Sequence, residues 1–291
     1  MSQNIETKAS TSPVARGKVA AIQLVSGKDI AFNLERVAYW VGEAAAQGVK
    51  VVVLPENFSM LDSYSSIELG RKESSPDGQV RQFLRGLARS HGIWIIAGSL
   101  PCSVRPDGST VENRVRSACW VIDADGKEVG RYDKIHLFDV DVDDQHGQYR
   151  ESQWFEPGDR AVVVDTPVGR VGLSICYDLR FPELYRKLSE SGADWMVVPA
   201  AFTYRTGEAH WETLLRSRAI ENQVYIVAAG QGGQHSSTRT TYGHSMLVDP
   251  WGSVLECRRE AGEGMVVGTI DPDFAHQVRS KMPVLQHRRV K

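Results

Sequence analysis

Twice in this chain an apolar, β-branched strand pattern gives way to a helix pattern and then to a second apolar strand running into proline. The first instance is Val19–Leu24, then a helix pattern from Asp29 with Ile30, Leu34, Val37, Ala38, Val41 and Ala45 on one face. Gly48 breaks that helix, and Val49–Leu54 leads into Pro55. The second instance is Val171–Ile175, a helix over Phe181–Leu188 opened by Pro182, and the strand Ala193–Phe202. Strands apolar on both sides, joined by a helix, make a βαβ unit in a parallel sheet. The shared layout suggests two related halves, each a helical layer on a sheet. Packed sheet to sheet, the halves would give four layers.

Between and after these units the pattern turns antiparallel. A helix from Ser75-Pro76 carries Val80, Phe83, Leu84 and Leu87, stops at Gly92, and returns as Ile93–Ala97. Asp125-Gly126 is a hairpin signal between Asn113–Ile122 and Glu128–Tyr132, and Pro167-Val168-Gly169 turns Val162–Asp165 back on the strand before Cys176. A helix over Gly207–Asn222, with Trp211, Leu214, Leu215 and Ala219 inward, precedes strands at Val224–Ala229, His244–Val248, Ser253–Leu255 and Met265–Ile270. The expected fold is α/β with two mixed sheets.

Composition narrows the function. A 42% hydrophobic and 24% charged chain of 291 residues fits an ordinary globular protein, and a net charge of −2 points to neither a nucleic-acid nor a membrane partner. No apolar stretch reaches membrane-spanning length, and no signal-peptide pattern opens the sequence. Residues 1–16 read as a disordered polar tail, and the basic end at 286–291 as solvated. Cys102, Cys119, Cys176 and Cys257 contain no C-x-x-C pair, which argues against zinc and disulfides and fits a reducing cytoplasm.

Three polar residues stand at the ends of apolar strands. Glu56 follows Leu54-Pro55, where ligands gather in open α/β sheets, although a carboxylate there also serves as a cap or an arginine partner. Lys134 ends the strand before Ile135, where burying its stem alone would also suit it. Cys176 sits between a strand end and a helix start, a position that favours a thiolate and offers N–H groups to an incoming carbonyl oxygen. Its alternative is that of any buried cysteine, a small hydrophobe. A base, a cation and a soft nucleophile together suit acyl transfer. The acidic run Asp139, Asp141, Asp143 resembles a calcium loop only in part. Asp144 stands where that loop needs glycine and Arg150 where it needs glutamate.

Three segments, LPE at 54–56, DKIHLFD at 133–139 and ICYDLRFPE at 175–183, resemble the signatures of the nitrilase (carbon–nitrogen hydrolase) superfamily, in the expected order. The likeness runs from about Lys18 to Arg289, within a single domain taken as 17–291. It implies a four-layer αββα sandwich with Glu56 as general base, Lys134 as oxyanion cation and Cys176 as nucleophile. It also implies the Tyr177 N–H as second oxyanion donor and Glu151 as a supporting carboxylate. No metal or organic cofactor is implied, and a homodimer or higher assembly through 181–191 and 207–222 is. Tyr177-Asp178 replaces the Trp-Glu of true nitrilases, which argues against nitriles. The run 201–223 and KIHLFDVDV resemble the Nit branch, which holds omega-amidases and amidases of deaminated glutathione, and VDPWGSVL and MPVLQHRR resemble its bacterial members on the deaminated-glutathione side. The expected reaction is thioester-mediated hydrolysis of a terminal carboxamide on a small carboxylate-bearing substrate, deaminated glutathione first and α-ketoglutaramate or a related dicarboxylate monoamide second. A catalytically silent binding protein is the distant alternative. Phe202, Thr203, Tyr204, Arg205 and Thr206 are expected in a loop that clamps the substrate carboxylate, with Arg205 or Tyr204 donating. Asp178, Arg180 and Glu183 are expected to brace the Cys176 turn, and His136 to be structural.

Overall fold

The computed structural model describes residues 16–62, 64–75, 77–142 and 147–290. The expected tail lies outside them except for Arg16, as do Pro76, Asp143 and Asp144. In the first half the elements are β1 (Gly17–Gln23), α1 (Ile30–Ala46), β2 (Val51–Val53), α2 (Ser66–Lys72), α3 (Gln79–His91), β3 (Trp94–Ile96), β4 (Leu100–Cys102), β5 (Arg116–Ile122) and β6 (Glu128–Asp133). Next come β7 (Asp139–Asp141), β8 (Gln148–Arg150), β9 (Val163–Thr166), β10 (Gly169–Leu173), α4 (Pro182–Glu190) and β11 (Trp195–Ala200). The chain continues with α5 (Tyr204–Asn222), β12 (Tyr225–Gly230), β13 (Met246–Val248), β14 (Val254–Cys257), β15 (Gly264–Ile270) and α6 (Pro272–Lys281).

Among the described residues two large mixed sheets form, with strand orders β15-β1-β2-β3-β5-β4, to which β6 adds on β5, and β14-β13-β12-β11-β10-β9. Each has a parallel centre, β1-β2-β3 and β10-β11-β12, as the repeated strand–helix–strand pattern implies. Alternation along the strands sets the layers. Val19, Ala21, Val51 and Val53 face the second sheet and share a core with Val171, Leu173, Val197 and Val227. Their neighbours Ala20, Ile22 and Val52 pack instead on Leu34, Val37 and Val41 of α1 and Leu84 and Ala88 of α3. On the far side α4 and α5 cover the second sheet with Leu184, Leu188, Trp211 and Leu215. The fold is a four-layer αββα sandwich.

Local chemistry explains the element ends. Asp29 caps α1 by accepting from the Phe32 N–H at 3.1 Å, and Gly92 ends α3 in the left-handed region. Tyr149 and Arg150 belong to a short strand, and a 3-10 turn carries Glu151. Asp139 and Asp141 lie on β7, which pairs with β8, and Asp141 accepts from Arg150 at 2.8 Å. Tyr204, expected in a loop, opens α5. Among the described residues no helix is long and apolar enough to cross a membrane.

Candidate active site

Glu56, Lys134 and Cys176 meet. Lys134 Nζ donates to Glu56 Oε1 at 2.8 Å and to both oxygens of Glu151 at 2.9 Å. The other oxygen of Glu56 accepts from the Ala201 N–H at 2.9 Å, and the Cys176 thiol lies close enough to feel the charge of the same carboxylate. All three groups are buried, Lys134 to 2% exposure, so that ammonium depends on its two carboxylates for most of its stabilisation.

Backbone geometry puts them there. β2 delivers Glu56 past Pro55, and Gly98 at φ +40° lets the neighbouring chain pass under that turn. A Cβ on Gly98 would sit 1.9 Å from the Pro55 carbonyl oxygen. Lys134 follows the last residue of β6, and its carbonyl accepts from the Gly158 N–H at 2.7 Å. Cys176 opens a 3-10 turn over Cys176–Arg180 in the left-handed region, φ 47°, which is unusual for a side chain with a Cβ. The first bond of that turn runs from the Asp178 N–H to the Ile175 carbonyl, so the Tyr177 N–H lies ahead of it with no acceptor inside the turn.

The brace around Cys176 differs from the expected ion-pair set. Asp178, fully buried, accepts from Tyr132 Oη at 2.6 Å, the Ile175 N–H at 2.9 Å, the His136 N–H at 3.1 Å and His136 Nδ1 at 2.7 Å. One carboxylate thereby ties the segment carrying Lys134 to the turn carrying Cys176. His136 stacks on Phe181, a structural role. Glu183 is exposed on α4, and Arg180 turns into the cavity.

Electrostatics divides the protons. Burial works against the charge of Glu56, but Lys134, with hydrogen bonds from Lys134 and Ala201, holds the carboxyl below its ordinary value. Burial also opposes the Lys134 charge, and Glu151 and Glu56 outweigh it, raising the ammonium well above ordinary lysine. Glu151 is pushed up by burial and by Glu56, against the pull of Lys134. Burial and the Glu56 charge push the Cys176 thiol well up despite Lys134. The turn position that favours a thiolate is thus outweighed by burial and the Glu56 charge, which favour the proton on sulfur beside an ionised carboxylate. A site so arranged can move a proton from sulfur to Glu56 as the sulfur attacks.

The three groups open on a cavity of about 520 Å³. Of the expected substrate loop, Phe202, Thr203 and Thr206 line it, whereas Tyr204 and Arg205 do not. Successive residues of a helix turn by about 100°. With Thr203 at the N-cap of α5, only Thr206 of the next three faces inward. The cavity cations are Lys28, Lys134, Arg150, Arg180 and Arg239. Arg180 is visible in the sequence only as the charged residue four places after Cys176. Arg239 lies in a Ser/Thr-rich turn without periodicity, so no pattern marks it.

A buried base, ammonium and thiol at the floor of a cavity in an αββα sandwich are the parts of a cysteine-type hydrolase. The carbon–nitrogen hydrolase family model matches residues 18–280. Deaminated glutathione amidase of Yersinia enterocolitica is 43% identical over 271 residues, 93% of this chain and 92% of that one. Among solved structures, Saccharomyces cerevisiae Nit3, a member of branch 10 of the nitrilase superfamily, superposes with a TM-score of 0.82 at 32% identity, covering 97% of this chain and all of that one. The C. elegans NitFhit protein gives 0.85 at 38% identity over 96% of this chain and 66% of its own. The chain belongs to the carbon–nitrogen hydrolase family, and it is an amidase.

Proposed function

We propose that this amidase cleaves deaminated glutathione, with Cys176 as nucleophile, Glu56 as general base, and Lys134 with the Tyr177 N–H as oxyanion donors. The observation that carries this reading is Lys134 held by Glu56 and Glu151, with Cys176 buried beside them on the wall of one cavity. Glu56 takes the thiol proton as sulfur bonds to the amide carbon, and the carbonyl oxygen becomes an oxyanion held by Lys134 and Tyr177. The C–N bond then breaks as Glu56 returns the proton to the leaving nitrogen, leaving a thioester. Water gives a proton to Glu56, attacks the thioester, and the sulfur leaves as the thiol is re-formed. Glu151 holds Lys134 and orients the amide nitrogen.

Deaminated glutathione has an oxo group where glutathione has its amine. Its amide joins a 2-oxo acid to cysteinylglycine, so cleavage releases two carboxylates. The 43% identity to an amidase of that name supports the choice. Arg180, lining the cavity on the turn of Cys176, would hold the acyl-side carboxylate. The four free cysteines support a reducing, cytoplasmic compartment, and a homodimer or higher assembly through α4 and α5 is part of this reading.

The test compares release of cysteinylglycine from deaminated glutathione with release of ammonia from α-ketoglutaramate and from a simple nitrile. The first is expected to have the highest kcat/KM and the nitrile none, and Cys176→Ala should abolish turnover with folding retained. Preference for α-ketoglutaramate would make the protein an omega-amidase. An unchanged rate in Cys176→Ala would discard the mechanism.

A further inference from the structure

The cavity holds more cationic donors than one acyl-side carboxylate needs, and the hydrogen bonds sort them. Lys28 is largely in water beside Asp62 at 3.7 Å. Lys134 is held between Glu56 and Glu151 and faces the reacting carbonyl. Arg150 donates to the Val140 and Tyr149 carbonyls and to Asp141. Arg180 donates to His210 Nδ1 at 3.2 Å and lies over the Phe202 ring. Arg239 differs: its Nε–H is buried without a hydrogen-bond partner among the described residues. A buried donor left unmade is unfavourable, and a bidentate carboxylate is the acceptor a guanidinium fork fits.

Arg239 is also held in place. Its carbonyl accepts from the His235 N–H at 2.9 Å, and its own N–H donates to Ser236 Oγ at 3.1 Å, closing a tight turn. The His235 ring anchors that turn through the Ser26 carbonyl at 2.8 Å and Thr241 Oγ1 at 2.7 Å. The guanidinium lies over Tyr149, whose ring packs on Phe138, which packs in turn on Tyr177 beside the nucleophile. Two aromatic rings thus separate Arg239 from the Cys176 turn along one wall. A two-residue leaving group, spanning roughly 7 Å when extended, runs along such a wall.

We propose that Arg239 is a specificity residue that binds a carboxylate on the leaving-group side of the scissile amide, so that the preferred substrates carry a carboxylate on each side of the bond. This rests on the substrate reading above and narrows it. Amides that release ammonia have nothing to offer Arg239.

The test uses the full-length enzyme, Arg239→Gln and Arg239→Lys, and three substrates: deaminated glutathione, the same compound with its C-terminal carboxylate capped as an amide, and α-ketoglutaramate. For the wild type, capping should raise KM roughly 10- to 100-fold with kcat little changed, the range of a lost charge-assisted pair. Arg239→Gln should raise KM equally for the uncapped substrate and not respond to capping. Its α-ketoglutaramate kinetics should stay at wild-type values, and Arg239→Lys should recover part of the loss. Equal losses on all three substrates, or a wild type indifferent to capping, would overturn the assignment of Arg239 alone. No wild-type turnover of deaminated glutathione would instead end the substrate reading and this narrowing with it.

Discussion

Asp178→Asn tests how the site is assembled, because it keeps the shape of the side chain and changes only what it can accept. The carboxylate receives four hydrogen bonds, two on each oxygen, from Tyr132, Ile175 and His136. In the amide one of those oxygens becomes an NH2 group. If it replaces Oδ2, the tyrosine hydroxyl can rotate but the Ile175 N–H loses its acceptor. If it replaces Oδ1, the imidazole can change tautomer but the His136 N–H is orphaned. One buried N–H is left unpaired either way, at about 1–3 kcal/mol, and the remaining bonds lose their charge assistance. A loss of about 3 kcal/mol in urea unfolding follows. Because Asp178 ties Lys134 to the Cys176 turn, kcat should also fall, on the order of 100-fold, as for a misplacement of about 1 Å. KM should change much less. Stability within about 0.5 kcal/mol of wild type together with unchanged kcat would refute the brace.

Two further perturbations reach the supporting structure. Gly98→Ala would drive a Cβ into the Pro55 carbonyl at a positive-φ position, so Glu56 must shift; urea unfolding should show a loss of a few kcal/mol and the activity should drop with it. His235 is held at about 4 by burial and the Arg239 charge, against its Ser26 hydrogen bond and an ordinary value of 6.5. The unfolded chain therefore binds a proton the folded chain refuses. Stability from this group is full above about pH 6.5 and is lost as pH falls toward 4, by about 3 kcal/mol. Unfolding of His235→Gln at pH 7 and pH 4.5 should show a smaller acid loss than wild type; an equal loss would place the effect elsewhere.

Much of the fold is legible because its strands are buried on both faces and its helices on one. Val19–Leu24 and Val49–Leu54 announce themselves by composition, and α1 by the spacing from Ile30 to Ala45. The short pieces escape. β4, at Leu100–Cys102, is three residues long and contains proline, while β7 and β8 carry Asp139, Asp141, Gln148 and Arg150 in place of β-branched residues. α6 follows Asp271-Pro272, an N-cap and first-turn proline pair, but only Ala275 and Val278 are buried, too few for a periodic signal. The start of α5 is hidden because Thr203 makes no side-chain capping bond and Gly207 looks like a turn.

The site divides in the same way. Glu56, Lys134 and Cys176 are legible because a polar group at the end of an apolar strand needs a reason. Asp178 and Arg180 are visible as charges, but which faces the core and which the cavity depends on the 3-10 turn between them. Arg239 depends on a loop meeting Tyr149 from ninety residues earlier in the chain. The protonation state of Cys176 is illegible in principle, because it follows from burial and from the summed charges of Glu56 and Lys134.

The proton balance between Cys176 and Glu56 is most directly measured as the pH dependence of single-turnover acylation on deaminated glutathione, followed by the mass of the Cys176 peptide. Glu56 sits below its ordinary value and the thiol well above, so the reactive pair of carboxylate and neutral thiol is already formed at neutral pH. The acylation rate should be flat from about pH 6 to 9, falling only as acid titrates Glu56. A rate that climbs about tenfold per pH unit to a plateau near 8–9, or turnover with no acyl mass on Cys176, would contradict it.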